Sequence, residues 1–288
     1  MRFSNLAVVM TSILASFGEV TEDQELDFCE VFAGCHILHS GAEAWGLRSR
    51  CLDVCYTRKM NILTNFGFIL LLSVVRRIQR SGTAWYAVPC SSWIWLSRGS
   101  THRSWVQAAG PRRGRSSSVR KANKLARRVA YALEYNFRKG VEYVVENPSS
   151  SLLGCFQRHG ARRVTIYLGS FGARTLKPVT LWGTASWLQQ LPNTLNPSTR
   201  GTLRRIGSLL GLDVVRRYQD GRGVSRLAGG RDLRGTQAYP GSLGLTVGRL
   251  LSDHLLRVGQ QSAGADAGVV FEDFDDLEGD DSELEDLV

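Results

Sequence analysis

The run TAWYAV at residues 83–88 crowds aromatic and branched side chains into six positions and is stopped by Pro89, the pattern of a buried strand. Cys90 follows at once. A thiol at the end of a strand stands where open α/β sheets place their chemistry. Beyond it runs a long loop rich in Ser, Gly and Arg. Strand, Pro-Cys and basic loop together present a nucleophile to a polyanion.

A second unit precedes it. Residues 26–54, LDFCEVFAGCHILHSGAEAWGLRSRCLDV, read as strand, glycine turn, helix and second strand, closed by the acid Asp53. Rossmann-type domains hold a nucleoside this way: the turn brings backbone N–H groups to the ligand, and an acid roughly 20 residues on takes the ribose hydroxyls. Gly34 and Asp53 fit that spacing. Residues 66–80 (FGFILLLSVVRRIQR) are expected to form a helix whose basic end faces its own dipole. After Cys90, a mobile loop is expected to about residue 118, then a helix over about 119–138. VEYVV, within 141–153, is another buried strand, ending in Glu146-Asn147-Pro148. That puts a carboxylate on the sheet edge shared by Cys90 and Gly34; the alternative makes Asn147 or the serines after it helix caps. RRVTIYLGSF (162–171) is one more strand.

These elements predict an α/β domain over 25–188 and a small basic module over 189–239, where periodicity fades and at most one short helix is expected. A helix over 240–262 is expected to pack back on the domain, and 263–288 to be a disordered acidic tail. Residues 1–24 read as a helix on the domain, with a weak secretory signal as the alternative. The net charge of +10 hides an asymmetry: 271–288 hold ten carboxylates and no cation, which leaves the first 270 residues at about +20. Nucleic acid is the simplest partner for such a body. Six cysteines in this length make no disulfide scaffold and read as reduced and intracellular. Cys29, Cys35, His36, His39, Cys51 and Cys55 match no common zinc spacing, so no metal is expected. The apolar run 62–75 is too short and interrupted to span a bilayer.

Several blocks carry a resemblance. EVFAGC (30–35), Asp53, VPCSSW around Cys90, ENP at 146–148, YLGSFGARTLKPVTLW (167–182) and TQAYPGSLG stand in this order. Together they resemble the DNA cytosine carbon-5 methyltransferases, most closely the divergent set abundant in dinoflagellate sequences, over roughly residues 26–256. The resemblance implies a Rossmann-like S-adenosylmethionine-dependent methyltransferase domain with a small basic appendage, S-adenosylmethionine as cofactor and DNA as partner. Glu30, Phe32, Ala33, Gly34, Asp53, Asn61 and Pro89 are then expected at the cofactor. Cys90 is expected as nucleophile, Glu146 on the cytosine ring, and Arg174 and Lys177 near the base. Departures are visible: Cys35-His36 replaces the second glycine of the turn, Asn61 an acid that contacts adenine, and Val88 the first Pro of Pro-Pro-Cys.

The chemistry suits these residue types. Carbon 5 of cytosine is a poor nucleophile until a thiolate adds at carbon 6. That addition needs N3 protonated, hence a carboxylic acid of raised pKa. The base must also leave the stack, which calls for a closing loop and cations. Cys90, Glu146 and the 98–115 loop are expected to supply these parts, with nearby arginines lowering the thiol pKa. Arg98, Arg103, Arg112, Arg113 and Arg115 are expected to bind nucleic acid. One alternative is a catalytically decayed nucleic-acid-binding protein of the same fold, carried by a mobile element. Another is a methyltransferase acting on RNA or another acceptor, disfavoured because no Asp/Asn-Pro-Pro-aromatic tetrapeptide occurs. Neither membrane association nor oligomerisation is implied. The nucleus is expected ahead of the cytoplasm, with secretion through the N-terminal segment left open.

Overall fold

Leu26–Val31 (β1) is buried at all six positions, as a strand covered on both faces must be. It lies one strand in from the edge of a six-stranded sheet in a computed structural model that describes residues 25–94, 97–104, 106–111, 116–148, 159–192, 198, 200–203, 205, 214–221, 223–229 and 238–264. The other strands are β2 (Ser49–Leu52), β3 (Ile78–Ala87), β4 (Glu142–Pro148), β5 (Arg162–Tyr167) and β6 (Pro178–Gly183), in the order β2-β1-β3-β4-β6-β5. The first four run parallel, while β6 is antiparallel to both neighbours. The reversal follows from chain length: residues 168–177 are too few to carry the crossover that a parallel return requires. The sheet is therefore mixed, and compatible with a Rossmann-like α/β fold.

Helices cover both faces. Alternation along the strands sends Cys29, Val31, Tyr86, Tyr143 and Val145 to one side and Phe28, Trp85 and Val144 to the other. After Ile37–Ala44 (α1), the next two helices, Asn65–Arg76 (α2) and Ser117–Lys139 (α3), pack on the first side. Thr64 caps α2 by accepting from the Gly67 N–H at 3.0 Å, Ser116 caps α3, and Gly140 at φ 72° ends it. On the second side, α1 and Gly241–Gly264 (α4) bury Leu38, Ala42, Leu243, Val247 and Leu251. These two helices meet backbone to backbone, because a side chain on Gly41 would fall on Gly244 and one on Gly248 would fall on Gly41.

Two expectations change. The helix drawn over 66–80 ends at Arg76, and Ile78–Gly82 belong to β3. Ser81 at φ 64° and a register shift opposite Leu26 let this polar stretch join the sheet, where Gln79 Nε2 donates to Asp27 Oδ1 at 2.5 Å. Glu146-Asn147-Pro148 end β4 as expected, pairing with Leu181, Thr180 and Val179. Within 189–239 lies a hairpin of β7 (Val215–Gln219) and β8 (Ser225–Gly229), closed at Asp220 and at Gly223, whose φ is 74°. The helix expected at 240–262 is present and packs on the sheet. The N-terminal segment 1–24 and tail residues 265–288 lie outside the described residues. No helix among the described residues is long and apolar enough to cross a membrane.

Candidate active site

The chain moves outward from β1 to β2, then returns to lay β3 on the other side of β1. Such a switch point opens a crevice at the carboxyl ends of the strands. A cavity of about 830 Å³ occupies it, lined by Gly34, Asp53, Cys90, Glu146, Lys177 and Tyr239 among others. The turn after β1, the end of β2, the Pro-Cys after β3 and the last residues of β4 thus share one wall-to-wall space.

The turn after β1 is held by the segment after β2. Phe32, Gly34 and His36 adopt φ of 62°, 53° and 48°, and the Phe32 N–H donates to the Leu52 carbonyl at 2.8 Å. Asp53 Oδ2 accepts the Gly34 N–H at 3.0 Å, and its Oδ1 accepts the Cys55 N–H at 2.8 Å. The Tyr56 hydroxyl donates to the Gly34 carbonyl at 2.8 Å. A Cβ at Gly34 would meet nothing within 4 Å, so the glycine serves the left-handed backbone rather than a close approach. The Gly34 N–H that the sequence offers to a ligand is therefore spent on Asp53. The carboxylate keeps further lone pairs for hydroxyls. Phe32, Ala33 and Pro89 line the cavity as expected.

Two residues expected at the cofactor are not in the cavity wall. Glu30 is fully buried beneath the turn, where Oε2 accepts the His39 N–H at 2.8 Å and pins the start of α1. Its other oxygen has no partner among the described residues, and burial pushes its pKa up to about 8. Asn61 caps a local turn, its Oδ1 accepting the Leu63 N–H at 3.0 Å.

Cys90 opens a tight turn, its carbonyl accepting the N–H groups of Trp93 at 2.8 Å and Ile94 at 3.2 Å. Burial, and after it the charge of Glu146, push its thiol pKa up to about 11 against the opposing pull of Lys177. The expected lowering by arginines is not found: the thiol is raised, and among the described residues Lys177 is the cation that opposes the rise. Arg103 is buried at 3% exposure and braces that loop. Its guanidinium donates to Ser92 Oγ at 2.9 and 3.1 Å, to Asn123 Oδ1 at 2.8 Å and to the Ala108 carbonyl, and lies 3.5 Å over the Trp93 ring. It is a strut, not an open contact for nucleic acid. Arg98 opens the single helical turn Arg98–Thr101 and is half-buried. Arg112, Arg113 and Arg115 lie outside the described residues.

Glu146 is 7% exposed, and burial raises its carboxyl pKa, opposed by Lys177 and by a hydrogen bond from Tyr239. Trp85 Nε1–H in turn donates to the Tyr239 hydroxyl at 3.4 Å, and burial keeps that phenol protonated well above its ordinary range. Tyr239 lines the cavity and was not among the residues expected there; its signal was its place in the QAYPG block before α4. Lys177 lines the cavity, whereas Arg174, two residues after Gly172, is exposed and does not. What converges is a thiol, a carboxyl of raised pKa with a phenol behind it, and a lysine, beside the Gly34–Asp53 turn. Among the described residues no three His, Cys, Asp or Glu side chains gather as a metal site. Comparison with models of known protein families and with curated proteins finds no match to the chain.

Proposed function

We propose that this cavity binds S-adenosylmethionine and that the chain transfers its methyl group to carbon 5 of cytosine in DNA. The observation that carries the reading is the convergence of Cys90, Glu146 and Lys177 on the same cavity as the Gly34–Asp53 turn. At about 830 Å³ the cavity has the size of nucleoside-cofactor sites and leaves room for a flipped base. Asp53 would hold the ribose hydroxyls, with Phe32 and Ala33 on the apolar side. When bound, the cofactor supplies an electrophilic methyl group. The thiol of Cys90 loses its proton to solvent, and the sulfur forms a bond to carbon 6. Glu146 gives its proton to N3, so the displaced electron pair rests in a neutral enamine at carbon 5. After carbon 5 has taken the methyl group, N3 returns its proton to Glu146, the carbon 5 proton passes to water, and the electron pair it leaves breaks the carbon–sulfur bond and returns the thiolate. Lys177 stabilises the ionised forms of both side chains.

Incubation with S-adenosylmethionine carrying a labelled methyl group and a mixed-sequence duplex, followed by digestion to nucleosides, tests the reading. Labelled 5-methylcytosine with the parent chain, and none with Cys90→Ser, is the expected result. Label on adenine, on the cytosine exocyclic amine or nowhere contradicts it.

The thiol pKa near 11 and the Gly34 N–H committed to Asp53 favour a second reading, a nucleic-acid-binding protein of this fold without turnover. Under that reading duplex is bound, no cofactor is bound, and Cys90→Ser changes neither.

A further inference from the structure

We propose that the outer face of α3 is a docking surface for the acidic segment 271–288 of the same chain, an autoinhibitory contact against nucleic acid. Arg120, Lys124, Arg127 and Tyr131 are spaced four, three and four residues apart, which stacks them in one ridge, and all are exposed. Lys121 is exposed beside them, and α3 carries no acid before Glu134. The opposite face, with Val119, Ala126, Val129 and Leu133, is buried against the sheet. Arg128 is already committed, donating to the carbonyls of Ile62 and Thr64 at 2.6 Å each, and its guanidinium lies 4.9 Å over Phe68. Aromatic surface borders the ridge: Tyr131 is 47% exposed and 5.9 Å from the Phe68 ring, and Phe66 is 43% exposed. Like charges at these spacings repel along a helix, so the ridge is stabilised by an extended polyanion.

The chain contains one such polyanion. Residues 271–288 carry ten carboxylates and no cation, with Phe271, Phe274 and Leu277 three residues apart to meet the aromatic border. Reach is sufficient. The last turns of α4 lie at the sheet edge where β1 and β3 begin, Gly259 and Gln260 sharing a cavity wall with Asp27 and Gln79. The C-terminal end of α3 is at that same edge, where Lys139 Nζ donates to the carbonyls of Arg76 and, at 2.9 Å, Ile78. Residues 265–270, extended, span about 20 Å, roughly two helix diameters. Tethering holds the segment at an effective concentration on the order of millimolar, so any nucleic acid must displace it. None of this depends on what the cavity binds.

Zero-length carbodiimide cross-linking of the full chain at low ionic strength tests the contact, because the chain has only five lysines: Lys59, Lys121, Lys124, Lys139 and Lys177. Cross-links from Lys121 and Lys124 to acids of 272–286, unchanged on dilution and lost near 1 M salt, where the screening length is about 3 Å, are the expected result. Arg127→Glu keeps both reporter lysines and is expected to lower their yield about threefold. The proposal is overturned by tail acids linking chiefly to Lys59, Lys139 or Lys177, by a yield that falls on dilution, or by no tail cross-links at all.

Discussion

Cys90 and Glu146 sit in one electrostatic field, and each decides how readily the other ionises. The carboxylate opposes the thiolate, and Lys177 favours both charged forms. Glu146→Gln is therefore expected to bring the Cys90 pKa below about 11, and Lys177→Met to raise it. Alkylation rate against pH, read on the peptide that contains Cys90, measures both; an unchanged profile in Glu146→Gln contradicts the shared field. Arg103 makes a different prediction. Arg103→Ala strips the partners from Ser92 and Asn123 and leaves a hole under Trp93, which is expected to cost about 2–4 kcal/mol in urea unfolding. Loss of DNA affinity at unchanged stability contradicts the strut and restores Arg103 to the DNA surface.

At the scale of elements, the crossing of α1 and α4 holds the floor of the candidate site, since α1 begins directly after the Gly34 turn. Gly41→Ala places a methyl group inside the Gly244 backbone and is expected to cost about 3 kcal/mol, or about 6 °C in melting temperature. A melting temperature within 1 °C of the parent, about 0.5 kcal/mol, contradicts backbone contact at that crossing. The central strands were legible because burial on both faces writes continuous apolar runs, as in TAWYAV and VEYVV. The start of β3 was not, since IQRSG joins the sheet through Gln79–Asp27 and a left-handed Ser81, neither of which its polarity signals. The β7–β8 hairpin was hidden because paired arginines break the alternation of VRRYQ. Local spacing likewise gave Gly34, Asp53, Cys90 and Glu146, whereas Lys177 came only with the family resemblance. Tyr239 depends on Trp85, 154 residues away, and the burial of Arg103 on Asn123; contacts of that range leave no mark in a local pattern.

For the whole molecule, two buried carboxyls set a pH dependence. Burial raises Glu30 to about 8 and Glu142 to about 7, both from 4.5. A raised folded-state pKa favours the protonated form, so this contribution to stability is full below about 4.5 and is lost as pH rises through 7 and 8. The melting temperature is expected to fall between pH 6 and 9, and Glu30→Gln to flatten the upper part of that fall. Parallel slopes in parent and variant contradict it. The same burial serves the proposed chemistry, because an acid that protonates N3 has to hold its proton near neutrality. The most direct test of that chemistry traps the bond from Cys90 to the base. The full chain is incubated with S-adenosylmethionine and a duplex containing 5-fluorocytosine, whose fluorine cannot leave as a proton does, and denaturing mass spectrometry reads the product. A protein–DNA adduct mapped to Cys90 and absent in Cys90→Ser is the predicted result, and intact cofactor binding with no adduct on any cytosine context contradicts the carbon-5 mechanism.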